Sequence, residues 1–581
     1  MLEAGRPGAV PDAAPAVQGQ DSEPRSAGRL VLAAATAGLI VVFLVLWVLY
    51  LHVSRNQRVE ADGASNALQA WDMLHGNLLL RGWTLEDVSF YTTELPEYML
   101  VEALRGLNAD VLHVAAALTY ALMVPLAALL AKGRAPLTRD WVTSREAVVR
   151  MAIAGGILLA PQPGAGVFIV LFQPDHFGTQ VPMLVTWLVL DRAPRRWFTP
   201  VAIGILLAWI GIGDPIVVFT GVVPLVLVAA VRALRCLIRR GEPWRPGELW
   251  RRRERLREAW FELSLAAAAL IALLVSTVVP KLIHAAGGYT VLPVGTQLTT
   301  VSALPAHVRL AADGVLGLFG ASFQGSPHGL ALVFAILHLA GVALAVWALC
   351  AAIRHFWAGD DLIAQVLTVG IVLNIAAYLL SSRPDGYWST REIAGILSAG
   401  AVLAGRLLGP RLVGTGRLAW RRAPGRLLAS ALAVVLAGYL AALGWAATRP
   451  AVPGVGQDVA GWLKARGLDY GLAYYGLAAP ITMASGNSVH VLTVVTEPTR
   501  MAPGPHEFNV NWYDPRTYDA NYVVLLAKPG SLDPMTAAQA TTAFGPPAHE
   551  YRYREYLVLT WNKNLLAELG PAQRYVGITP G

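Results

Sequence analysis

Apolar runs near twenty residues long recur from Leu30 to Ala447, and a helix of about twenty apolar residues crosses a hydrocarbon core of about 30 Å. That recurrence leaves few folds open. Charged residues make up 14% of the 581 residues, against about 25% in soluble globular proteins, while AVILMFWYC reach 55%. Disorder, a collagen-like fibre and a small secreted scaffold are excluded. The two cysteines, Cys236 and Cys350, support neither a disulfide framework nor a metal cluster. The chain reads as a polytopic α-helical membrane protein.

Residues 1–28, rich in Ala, Pro and Gly, read as a disordered cytoplasmic tail. Leu30–Val53 is too long for the apolar part of a signal peptide and lacks a small-residue cleavage site, so it reads as a retained first span. Further spans are expected near 110–131, 146–172, 180–191, 198–212, 216–231, 258–280, 328–353, 362–380, 390–407 and 427–447, about eleven in all. The run at 180–191 is too short to cross untilted, and Pro161 and Pro163 should break the third segment into half-helices. With the N-terminus inside, the inner connections hold roughly 26 Lys and Arg and the outer ones about seven, as the positive-inside rule requires. Membrane topology therefore accounts for the net charge of +8, and no nucleic-acid partner is implied. The membrane domain runs over 29–447, with long outer loops at 54–109 and 281–327. Residues 448–581 have a soluble composition and predict an extracytoplasmic α/β domain, with a helix over Asp458–Leu468 and strands over Val489–Val495 and Tyr522–Ala527. No internal repeat is evident.

The motifs GxxxxGK[ST], HExxH and CxxC are absent, and Gly320-Ala-Ser-Phe-Gln-Gly325 misses the nucleophile elbow by one position. The informative residues are the ionisable ones at the outer ends of the spans, where charge is costly and needs a use or a partner. Glu60-Ala-Asp62 follows the first span, and Asn66–Gly76 predicts an amphipathic helix in the membrane interface. Asp62 either faces a groove roofed by this loop or caps that helix. Asp175-His176 sits in a short outer connection; such a pair relays a proton, binds a metal, or ends one helix and caps the next. Residues 381–392 carry Arg383, Asp385, Arg391 and Glu392 among aromatics. Arg391, placed just inside the next apolar run, suits a phosphate or else an ion pair with Glu392 or Asp385. In the outer tail, Trp512-Tyr513-Asp514 is the best candidate for stacking on a glycan, the other aromatics reading as core.

The architecture resembles the membrane-embedded glycosyltransferases of the GT-C superfamily. Glu60-Ala-Asp62 is similar to the acidic motif of their first outer loop, and Ala67-Leu-Gln-Ala-Trp71-Asp-Met-Leu74-His-Gly76 to the "A…LL.G" pattern after it. Actinobacterial members of the protein O-mannosyltransferase and lipid A aminoarabinose transferase type resemble it most. The resemblance spans 30–450 in architecture but only short motifs in sequence, and the loop reads Asp-Gly where two adjacent acids are commoner. It implies an inverting transferase with a polyprenyl-phosphate sugar as donor and a protein, lipid or wall glycan as extracytoplasmic acceptor. Asp62 would be the base, with Glu60 the weaker candidate. Arg391 and Arg383 would hold the donor phosphate, and Asp175, with His176 and Asp385, would orient the acceptor or a divalent cation. High Ala, Gly and Arg content fits a GC-rich bacterial genome and a plasma-membrane location. Two other classes share these features: a transporter or flippase of a lipid-linked substrate, and a non-catalytic cell-envelope scaffold with a glycan-binding tail. Span centres nearly free of charge weigh against the first.

Overall fold

The computed structural model describes residues 23–58, 61–136, 141–161, 171–172, 174–238, 257–292, 295–413, 422–497, 500–504, 507–528 and 535–570. Glu60, Pro163 and the second half of the broken third segment lie outside the described residues. Among the described residues, eight helices are long and apolar enough to cross a membrane: Ala33–Ser54, Val111–Lys132, Val218–Cys236, Trp260–Ala285, Leu330–Arg354, Leu362–Leu380, Gly395–Val413 and Ala429–Ala447. Three more helices fall on the remaining predicted runs. Phe198–Gly213 is apolar but shorter, Trp141–Leu158 carries charge, and Gln180–Arg192 has only 13 residues. At about 1.5 Å per residue the last falls short of the hydrocarbon thickness.

Small residues let these helices approach closely. At Gly405 a Cβ would meet the Arg150 carbonyl oxygen at 2.6 Å and the Ala131 side chain at 2.8 Å. A charge cluster on the buried Arg406 ties the bundle. Arg406 pairs with Asp191 at 2.9 Å and with Asp361 at 2.8 Å, and Asp361 also caps the Leu362–Leu380 helix by accepting from the Ala364 N–H.

The first loop folds into two helices, Ala61–Leu74 and Leu95–Arg105, around the strand Trp83–Leu85. The sequence places the first of them in the membrane interface. The structure instead buries most of it, Ala64, Asn66, Ala67, Leu68 and Ala70 included, between the second loop helix and a helix from the C-terminal region, Tyr475–Ala484. Only its end, at Leu74 and His75, is exposed.

Beyond residue 456 lies a six-stranded mixed sheet, ordered Met501–Pro503, His490–Thr496, Tyr470–Ala473, Tyr522–Leu526, Tyr556–Thr560 and His549–Tyr553. Its three central strands are parallel, with Leu472 opposite both Leu492 and Val523; the outer pairings are antiparallel. A second, three-stranded sheet joins distant segments. Thr84 pairs in parallel with Thr290 of the second long loop, and Trp83 pairs antiparallel with Asn509 of the C-terminal region. The two long loops and the C-terminal region thus form one hydrogen-bonded junction over one end of the helix bundle.

Candidate functional site

Asp62 stands in the first turn of the Ala61–Leu74 helix, where the helix dipole favours an anion. Its Oδ2 accepts from Arg391 Nη1 at 3.0 Å, and its Oδ1 accepts from the Tyr475 hydroxyl at 2.7 Å. Both side chains of the ion pair are mostly buried, Arg391 with 17% and Asp62 with 21% exposed. Glu86, one residue past the first-loop strand, lies 3.8 Å from Arg391 Nη2. Burial, then the Asp62 charge, push the Glu86 carboxyl up to about 8. Asp175 is buried and accepts from Asn66 Nδ2 at 3.1 Å; burial, then Asp62, raise it to about 6. The Arg391 guanidinium also lies over the Trp388 ring at 5.1 Å, and the acids around it hold its pKa above the ordinary arginine value despite burial.

The sequence places Arg391 inside an apolar span. The structure puts it in a 3-10 turn, Tyr387–Ile393, ahead of a helix that starts only at Gly395. Ser389 and Thr390 turn the chain by donating to the Gly386 and Tyr387 carbonyls, a local competition with helix that these residues favour. Arg391 pairs with acids of the first loop, and Glu392 faces Arg383 at 3.3 Å. Arg383 also bonds Asp87. Asp385 is exposed at the start of this segment.

Asp175 and His176 point apart. The His176 Nδ1 meets Asp214 Oδ2 at 2.9 Å, and the same oxygen accepts from the Thr179 hydroxyl at 2.8 Å. Burial works against a charged His176, but Asp214 overrides it and lifts the imidazole to about 9. Asp214 in turn lies below its usual range, because His176 outweighs the cost of burial. His176 holds φ at +58°, a conformation rare for non-glycine residues. Glu94 closes this layer, accepting from the Thr179 N–H at 3.1 Å. Gly178 makes room for it, since a Cβ there would meet the Glu94 side chain at 2.6 Å. Burial, then Asp214, raise the Glu94 carboxyl well above its usual value. Among the described residues no group of three or more His, Cys, Asp or Glu side chains is placed to hold a metal ion, and with its two members turned apart the Asp175-His176 pair does not fit one.

Trp512 lies edge-on against Trp83 of the first loop, centroids 5.0 Å apart, and the Tyr513 hydroxyl donates to the Thr493 carbonyl at 2.6 Å. Both belong to the junction between loop and sheet. A cavity of about 410 Å³ opens beside the ion-pair layer. Asp87, Arg383, Glu392, His176 and Asp214 line it together with apolar Ile216, Phe219 and Ala377.

Four contributors escape a reading of the sequence. Glu507, whose carboxyl the Tyr475 hydroxyl also meets, and Tyr475 come from the C-terminal region, and Tyr475 reads there as one more core aromatic. Glu86 is one acid among several in the first loop. Asp214 alone carries a signal: a single acid closing a long apolar run, Phe198–Gly213, is the kind of residue that membrane burial makes conspicuous.

No protein-family model matches the sequence, and no curated protein matches it. Among solved structures the chain resembles the Archaeoglobus fulgidus oligosaccharyltransferase, determined in complex with Zn and sulfate. The identity is 15% and the TM-score 0.42, over 87% of this chain and 70% of that one.

Proposed function

We propose that this chain is an integral-membrane glycosyltransferase of the GT-C kind, moving a sugar from a polyprenyl-phosphate donor to an extracytoplasmic acceptor with inversion. On this reading eleven segments cross a bacterial plasma membrane, the N-terminus is cytoplasmic, and the C-terminal α/β domain lies outside. The observation that carries the proposal is the Asp62–Arg391 pair at 3.0 Å, with Glu392, the residue after Arg391, and Arg383 lining a cavity together with apolar Ile216, Phe219 and Ala377. A lipid phosphate needs both surfaces. Arg391 Nε is buried with no hydrogen-bond partner among the described residues; a buried donor of this kind is costly and is satisfied by an incoming phosphate oxygen.

Asp62 then acts as general base. A carboxylate has about four lone-pair sites, and Arg391 and Tyr475 use two of them. The acceptor hydroxyl gives its proton to Asp62 while its oxygen attacks the anomeric carbon opposite the phosphate. The bond from that carbon to the phosphate oxygen breaks, and polyprenyl phosphate leaves with the electron pair. Arg383 and Arg391 stabilise the charge that develops on it. Asp175, on the far side of Asn66, orients the acceptor, and Trp512 offers a ring for a sugar to stack on.

The test is binding and turnover of purified, detergent-solubilised protein with radiolabelled polyprenyl-phosphate sugars, comparing wild type with Asp62→Asn. A positioned base contributes about 10²–10⁴ in rate, so the variant should bind donor and lose transfer by that factor. Transfer by Asp62→Asn at the wild-type rate, or a folded wild-type protein that binds no donor, refutes the proposal.

A further inference from the structure

We infer that two residues of the C-terminal region, Tyr475 and Glu507, are positioning residues for Asp62, so that the base is set for proton transfer only when that region is docked on the first loop. The inference rests on the proposed role of Asp62 as base. Its geometric content stands apart from that role.

Tyr475 is the first residue of the Tyr475–Ala484 helix, which packs on the helix carrying Asp62. Its hydroxyl lies against two carboxyl groups at once, Asp62 Oδ1 at 2.7 Å and Glu507 Oε2. A phenol has one proton to give, so the two carboxyls cannot both accept it. Asp62 is ion-paired to Arg391 and accepts from it, and a carboxylate only accepts. Glu507 is 8% exposed and is not itself ion-paired to Arg391. Burial, then the Glu86 charge, raise it well above the ordinary carboxyl range. One phenol proton cannot serve two carboxyls, so with Asp62 held by Arg391 it is Glu507 that supplies its own proton to the Tyr475 oxygen. The chain runs from the Glu507 carboxyl through the Tyr475 hydroxyl to the Asp62 carboxylate, each bond donated toward the base.

Glu507 is held for this purpose from both sides. Its carbonyl accepts from the Ser65 hydroxyl at 3.4 Å, one turn along the helix from Asp62, and the next residue, Phe508, pairs with Thr84 of the first loop. Its φ is +54°. Glutamate rarely adopts that conformation, and strain of this kind persists only where surrounding structure over-determines it. The other charged groups facing the chain are Glu86, Asp175 and Arg391.

The test uses full-length protein in detergent with Tyr475→Phe, Glu507→Leu, Glu507→Gln and the Tyr475→Phe/Glu507→Leu double variant. A hydrogen bond to a charged group is worth enough that Tyr475→Phe should lower kcat about tenfold or more while the donor KM stays put. Glu507→Leu should do nearly the same. Glu507→Gln, whose amide still donates to the Tyr475 oxygen, should restore most of the activity, and the double variant should be no worse than Tyr475→Phe. A second readout needs no turnover: carbodiimide labelling of Asp62, followed by mass spectrometry, should be several times faster in Tyr475→Phe. Absence of transfer by the wild type sinks the proposed function and leaves the labelling to decide this inference. Unchanged labelling of Asp62 in Tyr475→Phe overturns the inference, as does unchanged kcat in a wild type that transfers.

Discussion

Arg391 is one cation among Asp62, Glu86, Asp175 and Glu507, so its removal should cost far more than one surface ion pair. At the Asp62 separation of 3.0 Å, two unit charges attract by roughly 5 kcal/mol at an effective dielectric of about 20. Desolvation of both groups offsets part of that, and truncating one partner of a buried pair typically costs about 3–5 kcal/mol. Because a sixth to a fifth of each side chain is exposed, the low end applies, and Arg391→Met should cost about 3 kcal/mol. Stacking on half-exposed Trp388 adds about 0.5–1 kcal/mol to the loss. Asp62→Asn leaves Arg391 with Glu86 at 3.8 Å and should cost less, about 1–2 kcal/mol. Once Arg391 is gone, a charged Asp62 is a liability, so Asp62→Asn in the Arg391→Met background should be neutral or stabilising. The double-mutant cycle then gives a coupling of about 2 kcal/mol. Equilibrium unfolding in mixed micelles, followed by tryptophan fluorescence, measures all four proteins. Additivity within about 0.5 kcal/mol would mean that the pair carries no mutual energy, and the electrostatic account of the site would fail.

The His176–Asp214 pair predicts a window of pH. Because His176 rises to about 9, its contribution is complete below the ordinary histidine value and is lost as pH rises through about 9. Asp214 is depressed, so its share is present above the ordinary carboxylate value and lost as pH falls through the lowered one. Thermal unfolding of wild type and His176→Gln between pH 5 and pH 10 should show the variant about 2–3 kcal/mol less stable at pH 6, with the gap closing above pH 9; a constant gap refutes the pairing. Glu102 shares the sign of His176 and opposes that of Asp214. It is 2% exposed, both its carboxyl oxygens lack hydrogen-bond partners among the described residues, and burial raises it to about 9, so its charged form burdens the fold increasingly as pH rises above the ordinary glutamate value. Glu102→Met should leave stability unchanged at pH 4 and raise it by about 1–3 kcal/mol at pH 7, measured by the same unfolding assay; a loss at pH 7 would show that the acid is satisfied after all.

The bundle was legible because its signal is local: a run of apolar residues declares a span wherever it occurs, and each predicted run coincides with a helix over its described residues. Boundaries were less so. Arg391 fell outside its helix because the hydroxyls of Ser389 and Thr390 hold a 3-10 turn that hydropathy alone does not register. For the site, the order of the spans brings the carriers of Asp62, Asp175 and Arg391 to the same end of the bundle, because alternate connections share an end. Partners were another matter. That Arg391 meets Asp62 and not Asp385, or that His176 turns to Asp214 and away from Asp175, depends on side-chain directions settled by Gly178, Thr179 and the loop strands.

Glu507 lies 445 residues from Asp62 along the chain, and no periodicity or spacing links them. What joins them is the three-stranded sheet, in which Trp83–Leu85 takes the second long loop on one edge and Phe508–Asn509 on the other. Short strands of two or three residues contribute little stability alone, so the sheet depends on the burial around it, where Trp83, Tyr289 and Phe508 are enclosed. The same burial excludes water from the carboxyls and raises Glu86 and Glu507. Docking of the C-terminal region and the protonation states of the site are therefore one event: undocking would return water to both acids and let them ionise, Glu86 beside Asp62 and Arg391, and Glu507 carried away with the C-terminal region.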